Sequence, residues 1–136
     1  MNQQGKESAG LWDGAEIISV YTRTQALEDG VLVDITELAR EAGFKFPVAV
    51  TQGVWGVLNP TKELEAEGQS WKGRAWDMLT ILRHAIRSGS GTDEVRFAPL
   101  FVRKAGLPPE AVELWSQCGP GDQGEPVITV MLEGED

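Results

Sequence analysis

WKGRAWDMLTILRHAIR, residues Trp71 to Arg87, is the longest segment of this chain in which apolar residues recur at helical spacing. At ~3.6 residues per turn, its apolar side chains fall in one stripe: Trp71, Ala75, Met78, Leu79, Leu82, Ala85 and Ile86. Polar side chains lie on the other side: Lys72, Asp77, Thr80, Arg83, His84 and Arg87. The pattern predicts an amphipathic helix that packs on a core and keeps one face in water.

Both ends of this helix carry residues suited to capping. Ser70 can accept a hydrogen bond from a free N–H group of the first turn. Gly89 can adopt the positive φ that commonly ends a helix. Arg83 and Arg87 lie near the C-terminus, where the helix dipole favours positive charge.

The length and composition set the class of protein. A chain of 136 residues is expected to form one domain with one core. Its polar N-terminus, MNQQGKESAG, resembles neither a signal peptide nor a transit peptide, and the single cysteine excludes an internal disulfide. We therefore predict a cytoplasmic protein with a flexible segment at residues 1–14 and a single domain at residues 15–136.

The net charge of −9 is unevenly distributed along the chain. Residues 71–104, here called the basic island, contain three acids and seven bases, whereas the segments on either side are acidic. An acidic protein is repelled by bulk nucleic acid and by anionic membranes, but it can attract a basic partner. The same net charge can also be explained without any partner, because a charge away from zero keeps a small domain soluble.

The first half of the chain predicts one strand and several short helices. EIISVY, residues 16–21, is rich in β-branched residues and is typical of a strand. RTQALED and ITELAREA predict helices that each end before a glycine, with caps at Thr22 or Thr24 and at Asp34 or Thr36. The apolar run at residues 31–33, between these helices, is expected to be buried. Thr51 suits the N-cap of a third helix that reaches Leu58, and residues 61–69 form a polar surface excursion.

In the second half the apolar period changes from helical to two, which predicts strands. Val95 and Phe97 face inward, and Pro99 shifts the register so that Leu100 and Val102 continue the apolar set. Alternation resumes at residues 112–118, and residues 127–132 are apolar on both faces, as in a central strand. These strands predict a three-stranded antiparallel meander.

The fold class that follows is α+β. We predict a single domain in which an antiparallel sheet packs on one main helix, residues 71–87, with short additional helices.

GPGDQG, residues 119–124, has the G-x-G-x-x-G spacing of dinucleotide-binding loops. A phosphate-binding loop needs a strand before it and a helix after it, so that the helix N-terminus holds the phosphate. Here Pro126 and a strand follow, and Asp122 and Glu125 would repel phosphate. We interpret the segment as a hairpin loop whose glycines allow tight turns.

His84 and Cys118 are the only histidine and the only cysteine, so one chain cannot assemble a zinc site of the usual composition. A Cys–His nucleophilic pair is formally open. We instead interpret Cys118 as a small inward residue of a strand and His84 as a solvated residue on the polar side of the helix.

Carboxylate pairs are another source of catalytic chemistry. The candidates are Glu28, Asp29, Asp34, Asp77, Asp122 and Glu125. Catalysis would need two of them facing each other in a cleft with pKa values held apart. Several flank caps and turns, where carboxylates are common for local hydrogen bonding, and we favour that explanation.

Trp76 departs from the amphipathic pattern, because it lies on the polar side in line with Thr80, Arg83 and Arg87. We call these four residues the Trp–Arg stripe. An exposed tryptophan beside arginines is typical of a protein-binding hot spot or of a platform for stacking bases. Burial of Trp76 on two sides would explain the same pattern without any function.

Four ordered blocks of the sequence resemble a family of small uncharacterised bacterial proteins found on plasmids, phages and other mobile elements. The blocks are VYTRTQALEDGVLVDIT (20–36), FPVAVTQGVW (46–55), WDMLTILRHAIR (76–87) and CGPGDQGEPVITVML (118–132). The resemblance implies a bacterial cytosolic setting and mobile-element biology. It brings no established activity, cofactor or catalytic residue.

The leading hypothesis is a non-enzymatic accessory protein that binds a macromolecule, with a protein favoured, through the Trp–Arg stripe. The first alternative is a nucleic-acid contact made by the basic island, and the second is a carboxylate-dependent enzyme. We predict no cofactor, no metal and no membrane contact, and the sequence leaves the oligomeric state open.

Overall fold

The computed structural model describes residues 21–89 and 92–135. The helices are α1 (Arg23–Glu28), α2 (Thr36–Glu41), α3 (Gln52–Leu58), α4 (Lys62–Ala66) and α5 (Trp71–Ser88). The strands are β1 (Leu32–Asp34), β2 (Val48–Thr51), β3 (Glu94–Phe97), β4 (Leu100–Phe101), β5 (Glu110–Ala111), β6 (Leu114–Pro120) and β7 (Pro126–Leu132). The predicted strand at 16–21 falls outside the described residues except for Tyr21, which is not in a strand, and so does the predicted boundary at residue 15.

Five strands form one sheet in the order β1-β2-β7-β6-β3, while β4 and β5 form a separate ribbon. The predicted α+β fold is confirmed, as are the antiparallel meander of β3, β6 and β7 and the central place of the last strand. One pair of the mostly antiparallel sheet, β2 with β7, is parallel. A parallel pair needs a long connection, which the segment containing α5 provides.

Helix α5 covers one face of the sheet with the predicted apolar stripe. Ala75, Met78, Leu79 and Leu82 are fully buried in the core, and Ser70 Oγ accepts from the Gly73 N–H group at 3.1 Å. Burying a side chain the size of leucine or methionine contributes about 1.5–3 kcal/mol. The stripe therefore anchors α5 and fixes its rotation about its own axis.

Two expectations for the end of α5 are wrong. Ile86 is 40% exposed, because the last turn extends past the core and only Ala85 there packs against it. Gly89 has a φ of −81°, and the helix passes into extended backbone without a left-handed residue.

The sheet face toward α5 is built from alternate residues of adjacent strands. Val50 of β2 pairs with Val130 of β7, which in turn lies opposite Ser116 of β6, and all three are buried. The predicted inward alternation of residues 112–118 is therefore confirmed. This face supplies the platform on which α5 is seated.

Helix α1 is tied to the last strand through Arg23. The Arg23 guanidinium donates to Thr129 Oγ1 at 2.7 Å and to the Ile128 carbonyl at 3.0 Å. Burial lowers the pKa of Arg23, while Asp34, Asp122 and Glu125 oppose that change. A charge held among carbonyl and hydroxyl acceptors fixes the helix to the sheet with directional contacts.

Caps begin the short helices largely as predicted. Thr22 and Gln25 form a full capping box on α1, and the Thr51 hydroxyl accepts from Val54 N–H at the start of α3. At α2 the N-cap is Ile35, and the Asp34 carboxylate accepts from the Thr36 N–H group at 2.9 Å. The polar excursion at 61–69 contains the short helix α4.

Two predictions of buried residues are wrong, one at residues 31–33 and one after Pro99. Val31 is exposed and the two residues after it are half-buried, because β1 is an edge strand. Beyond Pro99, Phe101 is 3% exposed and Leu100 is 62% exposed, which reverses the predicted inward set. Strand β3 ends before Ala98, and the chain joins the β4–β5 ribbon with a new orientation.

The 119–124 loop joins β6 to β7 as a hairpin, as predicted, and it also holds α1. The Asp122 carboxylate accepts from Arg23 N–H at 2.8 Å, from Thr24 N–H at 2.9 Å and from the Thr24 hydroxyl at 2.7 Å. These bonds satisfy N–H groups that the first turn of a helix leaves free. The Thr24 hydroxyl is the main cause of a lowered Asp122 pKa, followed by the two backbone bonds.

We predict that Asp122→Asn lowers the melting temperature at neutral pH, because an amide is a weaker acceptor for these donors. The stabilisation that the ionised Asp122 carboxylate gives the wild-type fold is complete well above the ordinary aspartate pKa of 3.8. It is lost as the pH falls through the lower folded-state value, so the two proteins should converge in acid. Thermal melts across pH measure this difference. Glu94→Gln, on an exposed edge-strand residue, is the control, and an equal loss in both variants would contradict the assignment.

Candidate interaction surface on helix α5

Trp76 is exposed, with 41% of its surface open to solvent. It lies on the outer side of α5, because the buried stripe fixes the rotation of the helix. All four residues of the Trp–Arg stripe line one groove of about 420 Å³, together with Ala42 and His84. The structure thus brings the sequence-predicted residues together on one surface.

Thr80 contributes shape to this surface more than hydrogen bonding. Its hydroxyl donates to the Trp76 carbonyl one turn earlier at 2.9 Å, which uses its only proton. What Thr80 offers to a ligand is a methyl group and an acceptor oxygen.

Arg83 is half-buried and packs on the turn after α2. A Cβ atom added at Gly43 would lie 2.8 Å from Arg83 Cζ, so the guanidinium would have to shift to admit a side chain there. Gly43 also has a φ of +101°, which favours glycine for a second reason. The guanidinium lies beside the C-terminal end of α2, and Arg87 is exposed one turn further along α5.

A second groove, of about 500 Å³, adjoins the first along Trp76 and Thr80. Its other lining residues are Asp77, Ile81, Ala98, Pro99 and Leu100. Ile81 and Leu100 are large exposed apolar residues, and with Trp76 they form an open apolar patch. Sequence reasoning missed both, because Leu100 was expected to face inward and Ile81 lies at the flank of the apolar stripe.

The two grooves differ in charge. Arg83 and Arg87 line the first groove, and no carboxylate is among its lining residues. Asp77 is the one acid lining the second groove, which is otherwise apolar or small. The surface around Trp76 is therefore positive on one side and apolar on the other.

Three of the candidate catalytic carboxylates are engaged in local hydrogen bonds. Asp29 accepts from the Tyr21 hydroxyl at 2.7 Å, and Asp34 and Asp122 hold helix starts. Cys118 lies on β6 and His84 is exposed on α5. Burial, and secondarily Asp93, raises the pKa of the Cys118 thiol. Within residues 21–89 and 92–135, no three side chains of the His, Cys, Asp and Glu types are placed to hold a metal ion.

In the same described segments, the structure contains no helix with the length and apolarity required to cross a bilayer.

The fold and this surface define a small α+β domain with an exposed aromatic–basic patch. The chain belongs to a family of unknown function, DUF6573, whose family model matches residues 9–136. The matched span includes every helix and strand described above. No curated protein and no solved structure matches the sequence.

We predict that Gly43→Ala destabilises the protein by at least about 1 kcal/mol, because alanine resists positive φ. The added methyl group also displaces the Arg83 guanidinium. Denaturant unfolding measures the loss. Gly56→Ala is the matched control, since Gly56 lies in α3 with open space around it, and this change should be neutral or stabilising by about 0.5–1 kcal/mol.

The contact between Gly43 and Arg83 predicts coupling as well. Arg83→Ala removes the clashing group, so the double variant should lose less stability than the sum of the single changes. Strict additivity would show that Arg83 does not pack on Gly43 in solution.

We predict that Cys118 reacts slowly with iodoacetamide at neutral pH in the folded protein, because its pKa is raised and the thiolate is the reactive form. Mass spectrometry follows the alkylation, with the denatured chain as the reference. A native rate above the denatured rate would reinstate Cys118 as an activated nucleophile.

Proposed function

We propose that this protein is a non-enzymatic accessory protein that binds another protein through the Trp–Arg stripe. The observation that carries the proposal is Trp76, a large aromatic side chain exposed between a basic groove and an apolar groove. Tryptophan and arginine dominate the binding energy of many protein interfaces.

The chemistry of the two grooves selects the partner. An acidic protein segment with an aliphatic or aromatic side chain next to a carboxylate fits both of them. The carboxylate would meet Arg83 and Arg87, and the apolar side chain would lie between Trp76, Ile81 and Leu100. Charge complementarity of this kind mainly sets specificity and association rate, while the apolar contact supplies affinity.

Arg83 is suited to this role because it is held before any partner arrives. Its guanidinium rests on Gly43, so fewer rotamers are lost when it binds a carboxylate. Arg87 is exposed and would contribute less per contact. The expected order of importance is Trp76 first, then Arg83, then Arg87.

A protein partner is favoured over nucleic acid because the bases of the basic island do not form one continuous surface. Arg74 is buried, and Arg96 is paired with Glu133 at 2.6 Å on the sheet face away from α5. A nucleic-acid site usually needs several phosphate contacts along a continuous basic surface.

The proposed setting is the bacterial cytoplasm, in the biology of a plasmid, phage or other mobile element. This part of the proposal is supported by the resemblance of the four sequence blocks.

The experiment is a selection of random displayed peptides on the wild-type protein. We expect enriched peptides to pair an aliphatic or aromatic residue with Asp or Glu. Trp76→Ala should weaken their binding by ~10-fold or more, and Arg87→Ala should weaken it less. Arg96→Ala, on the opposite sheet face, is the matched control and should bind as the wild type does.

Three results would contradict the proposal. Enrichment of basic peptides would place the binding elsewhere. So would enriched peptides that bind Trp76→Ala as tightly as they bind the wild type. Fluorescent single- or double-stranded DNA that binds at low salt and is lost with Arg87→Ala would favour the nucleic-acid alternative. Self-association abolished by Trp76→Ala would assign the surface to a second copy of the chain.

A further inference from the structure

Arg74, in the first turns of α5, is a buried charge whose donors lack acceptors. The residue is 4% exposed, and its Nε and Nη1 atoms are closed to solvent and have no hydrogen-bond partner. Leaving a buried charged donor unsatisfied costs several times more than an ordinary lost hydrogen bond. Within the described residues, these two are the buried side-chain nitrogen and oxygen atoms that lack a hydrogen-bond partner.

An aromatic ring and a second arginine act on the Arg74 guanidinium. Its guanidinium lies 5.2 Å from the ring centroid of Phe101, a cation–π contact that offsets part of the burial cost. Burial lowers the pKa of Arg74, and the positive charge of Arg103 lowers it further. The repulsion between these two positive charges is one that a negative group would relieve.

A groove of about 280 Å³ opens at this point. Its lining residues are Gly68, Gln69, Ser70, Gly73, Arg74, Trp76 and Asp77. The groove lies at the N-terminal end of α5, an 18-residue helix whose positive dipole end favours an anion. Ser70 caps the Gly73 N–H group, whereas the N–H groups of Trp71 and Lys72 have no acceptor within the helix.

We propose that this groove is a binding site for one oxyanion group, a carboxylate or a phosphate, that Arg74 recognises at the start of α5. The guanidinium turns toward the groove, and the ligand then supplies the acceptor that Nε and Nη1 lack. The ligand also adds negative charge where the helix dipole and Arg103 favour it. Asp77 on the rim disfavours a second negative charge and can accept from a protonated ligand oxygen. The groove shares Trp76 with the Trp–Arg stripe, but the proposal rests on Arg74 and the start of α5.

Thermal melts with sodium phosphate, with sodium acetate and with sodium chloride at matched ionic strength test the site. We expect a rise of a few degrees for the wild type with phosphate or acetate beyond that with chloride, because ligand binding stabilises the folded state. The anion that acts identifies the source of the oxyanion. The Nε–H signal of Arg74 in ¹H–¹⁵N spectra should shift along the same titration.

Arg74→Met provides the decisive comparison. The variant should fold, since replacing an unpaired buried charge with an apolar side chain is often neutral or stabilising. It should lose the anion-specific rise, while Arg96→Met and Arg87→Ala should keep it. The last variant separates this site from the Trp–Arg stripe, so the two proposals can fail independently.

An equal response of the wild type and Arg74→Met, or no response of the wild type beyond chloride, would overturn the proposal. An unshifted Arg74 Nε–H signal during a melting response would do the same, because the anion would then bind elsewhere.

Discussion

The burial of four side chains of α5 against the sheet is the contact on which the rest of the structure depends. Ala75, Met78, Leu79 and Leu82 leave no surface to solvent, and they meet a sheet face in which Val50 and Val130 are equally buried. Because successive side chains of a helix point in fixed directions, this contact also decides which residues face outward. Trp76 is exposed as a result of packing elsewhere on the same helix.

Local signals in the sequence were sufficient wherever a few neighbouring residues decide the conformation. The capping box of Thr22 and Gln25, the cap at Thr51 and the stripe of α5 depend on contacts within a turn or two. The apolar run at 127–132 predicted a central strand, because only a strand covered on both faces tolerates that composition. The four stripe residues were predictable for the same reason, since their shared face follows from helical geometry alone.

Features decided by distant contacts escaped prediction. No local pattern indicates that β2 lies parallel to β7, and none shows that the chain turns at Ala98 so that Phe101 faces inward and Leu100 outward. The apolar groove beside Trp76 depends on that turn and was missed with it. The burial of Arg74 was missed as well, because it depends on Phe101, a residue of the separate ribbon that covers it. The site was thus predicted as a row of residues and not as a pair of grooves.

The parallel pairing of β2 with β7 constrains the order in which the parts of the sheet can fold. Val48 of β2 lies beside Ile128 of β7, so β2 pairs with a strand that is synthesised much later. On the ribosome, β1 and β2 emerge long before β7 is synthesised. The edge of β2 that pairs with β7 stays unpaired until then. Strand β7 must also insert between β2 and β6, and its pairing with β2 is a late, long-range event. Folding of this domain is therefore expected to finish only after β7 has left the ribosome.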